Sequence, residues 1–525
     1  MKARKLLTCS QLTSVLLALL NVTFSGCSKK MDSFRTRTNN TAVTAAFLDQ
    51  EGFTYVTAEQ IGLVADGVTN NTEKLQQFLD KNSNVEIRFS SGVYIVDQIV
   101  VKNKGTHLIG DTTTLKTNLT QITSQAIVLA SETENVLFEN FTVDGTSITS
   151  SFVAGVQLAN VNNGAIRKVK VAGLRDSWGI NSAFSYQILI DSCEVTGCAN
   201  GIQIWGGFAD KPTTQIGTAN VTVSNCMVGD IKKLTEGGFN GAGIFASRGD
   251  KVTFVKNTVS DCSDVGLDLE GCTNSSIDNC TASNCVNGNI SLFFGCSNIN
   301  IVNNNSTSSG NGKFGVYFYA YNADLTRKNS NVVCDNNVIS MYTTDGKAIQ
   351  VDQKSSSNVT FSNNTVNVGP SSSFGMRSVF NDSLNLINNR FLLQGGSGTA
   401  ISNEGGSSWD ITGNYLSNSS VYTGQGASKG LFVLSFSPNS ENPGPPAIKN
   451  MISNNEITGF DASILDYSGP SPDRPDNTYI GNKIENFYED YVNQANADLI
   501  KANNTFIQNP NLIPKEELAG FRKIE

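Results

Sequence analysis

Asp268 and Glu270 stand two positions apart in VGLDLEGC, residues 265–272, with Leu267 and Leu269 interleaved. Side chains alternate faces along a β-strand, so both carboxyls leave one face, with backbones roughly 6–7 Å apart. Inverting glycosidases hold their two carboxyls about 6.5–9.5 Å apart and seat a water between them. Like charges at such range raise one proton affinity, which suits a general acid beside a general base. Asp264, in the turn just before, is a third candidate. The plain alternative is a solvated or loop-bonded acidic face. A further option is a Ca²⁺ site on Asp268 and Glu270, since clustered hard oxygens suit that ion.

The strands that follow successive turns read GIQIWGG, GIFASRG, GLDLEGC, ISLFFGC, GVYFYAY and AIQVDQK. With Ile202, Ile244, Leu267, Ile290, Val316 and Ile349 inward, alternation turns the residues between them outward. These are Gln203 and Trp205, Phe245 and Ser247, Asp268 and Glu270, Ser291 and Phe293, Tyr317 and Tyr319, Gln350 and Asp352. Earlier coils add Gln157 and Asn181. Aromatic faces stack on sugar rings, and Gln, Asn and Asp bond hydroxyls. The expected substrate contacts are Gln203, Trp205, Phe245, Arg248, Phe293, Tyr317, Tyr319, Gln350, Asp352 and Lys354, around a catalytic group of Asp268, Glu270 and Asp264. The alternative is a second core, with segments 206–220, 231–241 and 320–331 covering the rings. The groove is the reading carried forward.

A repeating scaffold must hold this face. From about residue 130, short apolar-alternating runs recur between Gly and Asn, as in YQILIDSCEV, KVTFVKNTV and NVTFSNNTV. Asn257, Asn337, Asn364, Asn389, Asn414, Asn455, Asn482 and Asn504 recur in one local pattern, with gaps from Asn337 of 27, 25, 25, 41, 27 and 22 residues. Periods of this size mean a solenoid. Short strands and left-handed-tolerant turn residues specify an all-β, single-stranded parallel β-helix, with Asn and Cys stacked coil on coil.

Residues 63–79, LVADGVTNNTEKLQQFL, run from a strand through a turn into a short helix with Leu75, Phe78 and Leu79 on one face; VEIRFSSGVYIV and HLIGD follow. This segment resembles the start of the pectate-lyase-like right-handed β-helices, the superfamily of rhamnogalacturonases, polygalacturonases and phage tailspikes. Ala65-Asp66-Gly67, Thr72, Gly92 and Tyr94 match its pattern, while Asn70-Asn71 replaces an acidic pair. The resemblance spans roughly residues 52–510 and implies a helix capping the N-terminal end of the stack. It implies a glycan-processing class without fixing the reaction. Two known signatures are missing: the acidic pair with the GHG motif of polygalacturonases, and the Asp-His strand of calcium pectate lyases. The one histidine, His107, lies near the cap and reads as structural.

Three functions follow as expectations. The leading one is hydrolysis of a polysaccharide by Asp268 and Glu270, with no cofactor required. The runner-up is β-elimination on a uronate-containing polysaccharide, with Ca²⁺ or with Arg248, Lys251, Lys354, Arg377, Tyr317 or Tyr319 as base. The third is glycan binding without catalysis.

Net charge of −8 argues against a nucleic-acid partner. MKARKLL followed by VLLALLNVTF and FSGC reads as an export signal with a lipidation site at Cys27. The expected layout is a signal over 1–27, a tether over 28–50, and a β-helix over 51–525: cap segment 51–115, coils 116–510 and tail 511–525. The expected location is the outer membrane, with the membrane reached through lipid alone. Nine of the eleven cysteines lie beyond Cys27 in similar contexts. Stacked free thiols are favoured over disulfides.

Overall fold

Each coil passes its backbone hydrogen bonds to the next, so a strand pairs in parallel with the strand about one coil later in sequence. The computed structural model describes residues 52–149, 152–210, 216–232, 241–320, 327–419, 428–435, 447–467, 477–485, 489–491 and 501–507. The export signal, Cys27, the tether and the 511–525 tail lie outside the described residues. The chain builds a right-handed parallel β-helix of two sheets. One sheet has 15 strands, from Ile99–Val101 to Glu489–Tyr491, one strand per coil. The other has 31 strands. Most coils give it one long and one short strand, broken at a left-handed residue such as Asn279 (φ 52°) or Asn363 (φ 53°). Asn and Asp tolerate that conformation best, which accounts for the Asn-rich turns.

Inside, one apolar core runs from Ala58 to Ile484. Its polar seam is an Asn ladder. The Asn364 backbone N–H and Nδ2 both donate to Asn389 Oδ1 (3.0 and 2.9 Å), and Asn364 Nδ2 also donates to the Cys334 carbonyl. The pattern repeats through Asn304, Asn337, Asn389, Asn414, Asn455 and Asn482, ending on Asn504. Thiols occupy the same seam nearer the N-terminus. The Asn257 N–H donates to Cys280 Sγ, and the Cys280 N–H donates to Asn304 Oδ1. All nine described cysteines are buried and free. Burial pushes the Cys198 thiol up to about 12 and Cys280 to about 11, so these groups stay protonated and inert.

The helix Thr72–Lys81 buries Leu75 and Leu79 at the N-terminal end. Gln76 accepts from the Val100 N–H and donates to the Val100 carbonyl, which closes the edge of the 15-stranded sheet. Asn71, in place of the superfamily's acid, bonds both backbone groups of Val64.

Candidate functional site

The 15-stranded sheet carries the outward face. Its register sets Gln157 beside Asn181, then Gln203, Phe245 and Asp268 on successive coils. Ser291, Tyr317 and Gln350 continue this column. A second column runs Trp205, Ser247, Glu270, Phe293, Tyr319. The alternation read from the sequence is thus the alternation of the strands. The glycines flanking the acids have separate reasons. A Cβ on Gly266 would lie 2.6 Å from the Asn289 carbonyl oxygen, and Gly271 closes the strand at φ 56°.

Asp268 is 2% exposed and Glu270 half-buried. Each carboxyl is a close neighbour of the other, and both bind their protons more tightly than an ordinary carboxyl. Burial raises both; for Asp268 the Glu270 charge adds to it, followed by Asp264. Glu270 is pushed up to about 8 by burial, then by the charges of Asp264 and Asp210. The side chains therefore lean together, and the water-wide gap inferred from backbone spacing is closed. Asp264, at the corner, is also raised by burial, although Asn287 Nδ2 donates to it at 2.8 Å.

The aromatic face is not the open groove of the sequence reading over coils 200–293. Phe245, Ala242 and Val265 form a second apolar cluster, packed against Trp205 and Phe293. Loop Gly206–Asp210 folds back over its flank. Phe208 meets Trp205 edge-on at 4.9 Å, and Ser247 Oγ donates to the Gly207 carbonyl at 2.6 Å. Arg248, expected to touch substrate, is buried and donates from Nε to the Phe208 carbonyl. Arg327 donates to the carbonyls of Ala209 and Asp210. Alternation gave each side chain's direction, whereas cover comes from a loop pinned across the sequence. Gln203, Phe245 and Gln350 are likewise buried. Lys354 sits past its strand end at φ 53°.

Beyond Phe293 the face opens. Tyr317 is half-buried, stacks on Phe314 at 4.3 Å and donates to Asp352 Oδ2 at 3.1 Å. Tyr319 is half-buried beside Phe293. Lys347 stands over the Phe314 ring at 5.4 Å, its pKa lowered by burial and then by the Arg377 charge. Arg377 grips Glu404 through two hydrogen bonds, 2.7 and 2.8 Å. The sequence reading passed over Lys347, Phe314, Phe374 and Glu404. Their signal was a shared three-residue step, in FGVY, KAIQ and FGMR, that puts an aromatic or a cation ahead of each outward residue.

Calcium takes six to eight oxygens. Among the described residues no three His, Cys, Asp or Glu side chains converge as ligands, so Asp268 and Glu270 by themselves supply fewer oxygens than the ion takes.

Residues 215–391 match the family of right-handed β-helix regions, and residues 55–290 match the rhamnogalacturonase A/epimerase, pectate lyase-like family. Residues 55–391, which the two matches span together, carry the features of the pectate-lyase-like superfamily of right-handed parallel β-helices. Among solved structures, PfbA, a surface adhesin of Streptococcus pneumoniae, is 16% identical with a TM-score of 0.52, covering 67% of this chain and 92% of its own. The A-module of the mannuronan C-5 epimerase AlgE4 of Azotobacter vinelandii is 13% identical with a TM-score of 0.41, covering 87% and 96%. The DFA-IIIase of Arthrobacter chlorophenolicus A6 is 12% identical with a TM-score of 0.42, covering 76% and 93%. Of these likenesses the first speaks to the fold, and to the fold alone. No curated protein matches the sequence.

Proposed function

We propose that the protein is an exported enzyme, lipid-anchored through Cys27, that hydrolyses glycosidic bonds with Asp268 and Glu270. One observation carries this reading: two carboxyls lie side by side on the outer strand face next to an apolar cluster, and burial raises the proton affinity of both. Asp268, deeper and more strongly raised, is the general acid that protonates the leaving oxygen. Glu270, half-buried between Ser247 and Phe293, is the general base; on this reading substrate and the attacking water part the two carboxyls, and Glu270 takes a proton from that water. Because Glu270 titrates at about 8, cleavage rises as pH approaches 8 and falls again when Asp268 ionises. Replacing Cys27 with Ser releases the protein from the membrane fraction if the anchor is as read.

Product analysis on a polysaccharide panel tests the mechanism, comparing wild type with Asp268→Asn and Glu270→Gln. New reducing ends without unsaturated uronate, lost in both variants, support hydrolysis. Unsaturated uronate that survives both substitutions sinks the carboxyl pair. It would favour β-elimination at Lys347, a half-buried ammonium beside Tyr317 with its pKa already lowered. Binding without either product would leave a glycan-binding surface protein.

A further inference from the structure

We propose that the column running from Gln157 to Gln350 is a recognition track for an uncharged, polyhydroxylated chain lying along the coil axis. This rests on the cleavage reading above and names its substrate class. Six of the eight side chains in the column carry an oxygen that is buried and without a hydrogen bond: Gln157 Oε1, Asn181 Oδ1, Gln203 Oε1, Asp268 Oδ1, Ser291 Oγ and Gln350 Oε1. None of these residues is more than 5% exposed. More than half of all such atoms among the described residues fall in this one line. A buried acceptor with no partner bears its full desolvation penalty. The same chain bonds its Asn ladder on coil after coil, so a row of unmet acceptors sets this face apart. The two remaining members, Phe245 and Tyr317, offer rings.

Unmet acceptors call for donors. A sugar hydroxyl is a donor, whereas a carboxylate or sulfate would set oxygen against oxygen. No Lys or Arg stands in the column before Arg377, whose guanidinium already grips Glu404. Asp264, Glu270 and Asp210 add further carboxyl oxygens at the centre. A uronate chain is therefore mismatched to coils 154–291, and a neutral chain is matched by an acceptor on five of these six coils, at a coil spacing of about 4.8 Å. Admission requires loop Gly206–Asp210 to lift from Ser247 and Arg248, to which Gly207 and Phe208 are tied.

The test is calorimetric titration of the full chain with neutral oligosaccharides (galacto-, arabino-, manno- and xylo-series) and acidic ones (oligogalacturonate, oligomannuronate). Variants Gln157→Leu and Gln203→Leu lie away from the carboxyl pair and remove an unmet acceptor each, so their melting temperatures hold or rise. The expected result is that a neutral series binds, and that both variants weaken it at least tenfold while folding intact. Binding by acidic series only, neutral binding unchanged in both variants, or no binding by any series overturns the track. Neutral binding that weakens in both variants, but with no cleavage by wild type, keeps the track and fails the hydrolase reading alone.

Discussion

Two stretches of one sheet face, with the same pleat and the same register, treat their charges in opposite ways. Over coils 200–293 the face is covered and apolar, and its carboxyls have no cation on their own strands: burial and the Glu270 charge raise the proton affinity of Asp268, and burial raises that of Glu270. Over coils 314–434 the face is half-open and its charges are matched. Arg377 grips Glu404, Tyr317 donates to Asp352, and Lys347 and Lys429 stand over Phe314 and Phe432. The second stretch resolves its own electrostatics, as a structural surface does. The first leaves a proton and several acceptors for something else to use, and such perturbed groups cluster at functional sites.

The largest effect should come from breaking the first stretch chemically. Asp268→Asn or Glu270→Gln is expected to lower glycan cleavage by about 10²–10⁴, the usual worth of a positioned acid or base. Arg377→Met, in the second stretch, should leave the specific rate within a few-fold. Initial rates of reducing-end release on one substrate check both. Equal loss in all three variants would erase the distinction between the stretches.

Next comes the internal standard for a satisfied polar group. Asn364→Ala strips partners from the Asn337 N–H and the Cys334 carbonyl, both buried. At about 1–3 kcal/mol for each orphaned group, a loss of about 3 kcal/mol is expected in denaturant titration. Gln203→Leu, by contrast, orphans nothing.

The carboxyl pair also sets a pH dependence. Both acids bind protons more tightly in the folded chain than in the unfolded one, so the folded state holds more protons across that window. Through Glu270, stability falls as pH rises from about 4.5 to about 8, and the fall continues above that as Asp268 ionises. Glu270→Gln cannot ionise, so its advantage over wild type should be near zero at the lower limit and reach about 2 kcal/mol above the upper one. That allows for relaxation of a half-buried site against about 1.4 kcal/mol per pKa unit. Melting curves across the range decide it, and a constant offset would remove the raised proton affinity of Glu270.

What the sequence revealed and what it hid divide along range of interaction. The ladder was legible because Asn364, Asn389 and Asn414 recur at coil spacing, and a period needs only counting. The columns were legible because GLDLEG and GIQIWG alternate strictly around inward Leu267 and Ile202. The capping helix announced itself through Leu75, Phe78 and Leu79, of which two are buried outright and Phe78 packs against the core. The cover over Trp205 was legible only as the alternative in which segment 206–220 hides the rings. It depends on Arg327 reaching Ala209 across 118 residues of chain, and no local pattern records that contact. The pairing of Arg377 with Glu404 likewise joins neighbouring coils whose spacing alone does not reveal which outward residues meet.

The smallest effect concerns the seam where thiols stand in for amides. Cys280 lies between Asn257 and Asn304: its Sγ takes the Asn257 N–H at 3.4 Å, and its own N–H donates to Asn304 Oδ1 at 2.8 Å. A thiol is a weak acceptor and a weak donor, so this rung is poorer than the Asn364–Asn389 rung on both counts. Cys280→Asn would supply Oδ1 to Asn257 and Nδ2 to the coil before, as Asn304 Nδ2 already does to the Ile277 carbonyl at 2.9 Å. The extra volume opposes it in a core without slack. Two better hydrogen bonds at about 1 kcal/mol each, less the strain of insertion, leave a gain of about 0.5–1 kcal/mol by denaturant titration. A loss instead would mean that the thiols are there for their size. The N-terminal coils, which bring the carboxyl pair and its cover together, would then be packed more tightly than the Asn-laddered coils beneath the open face.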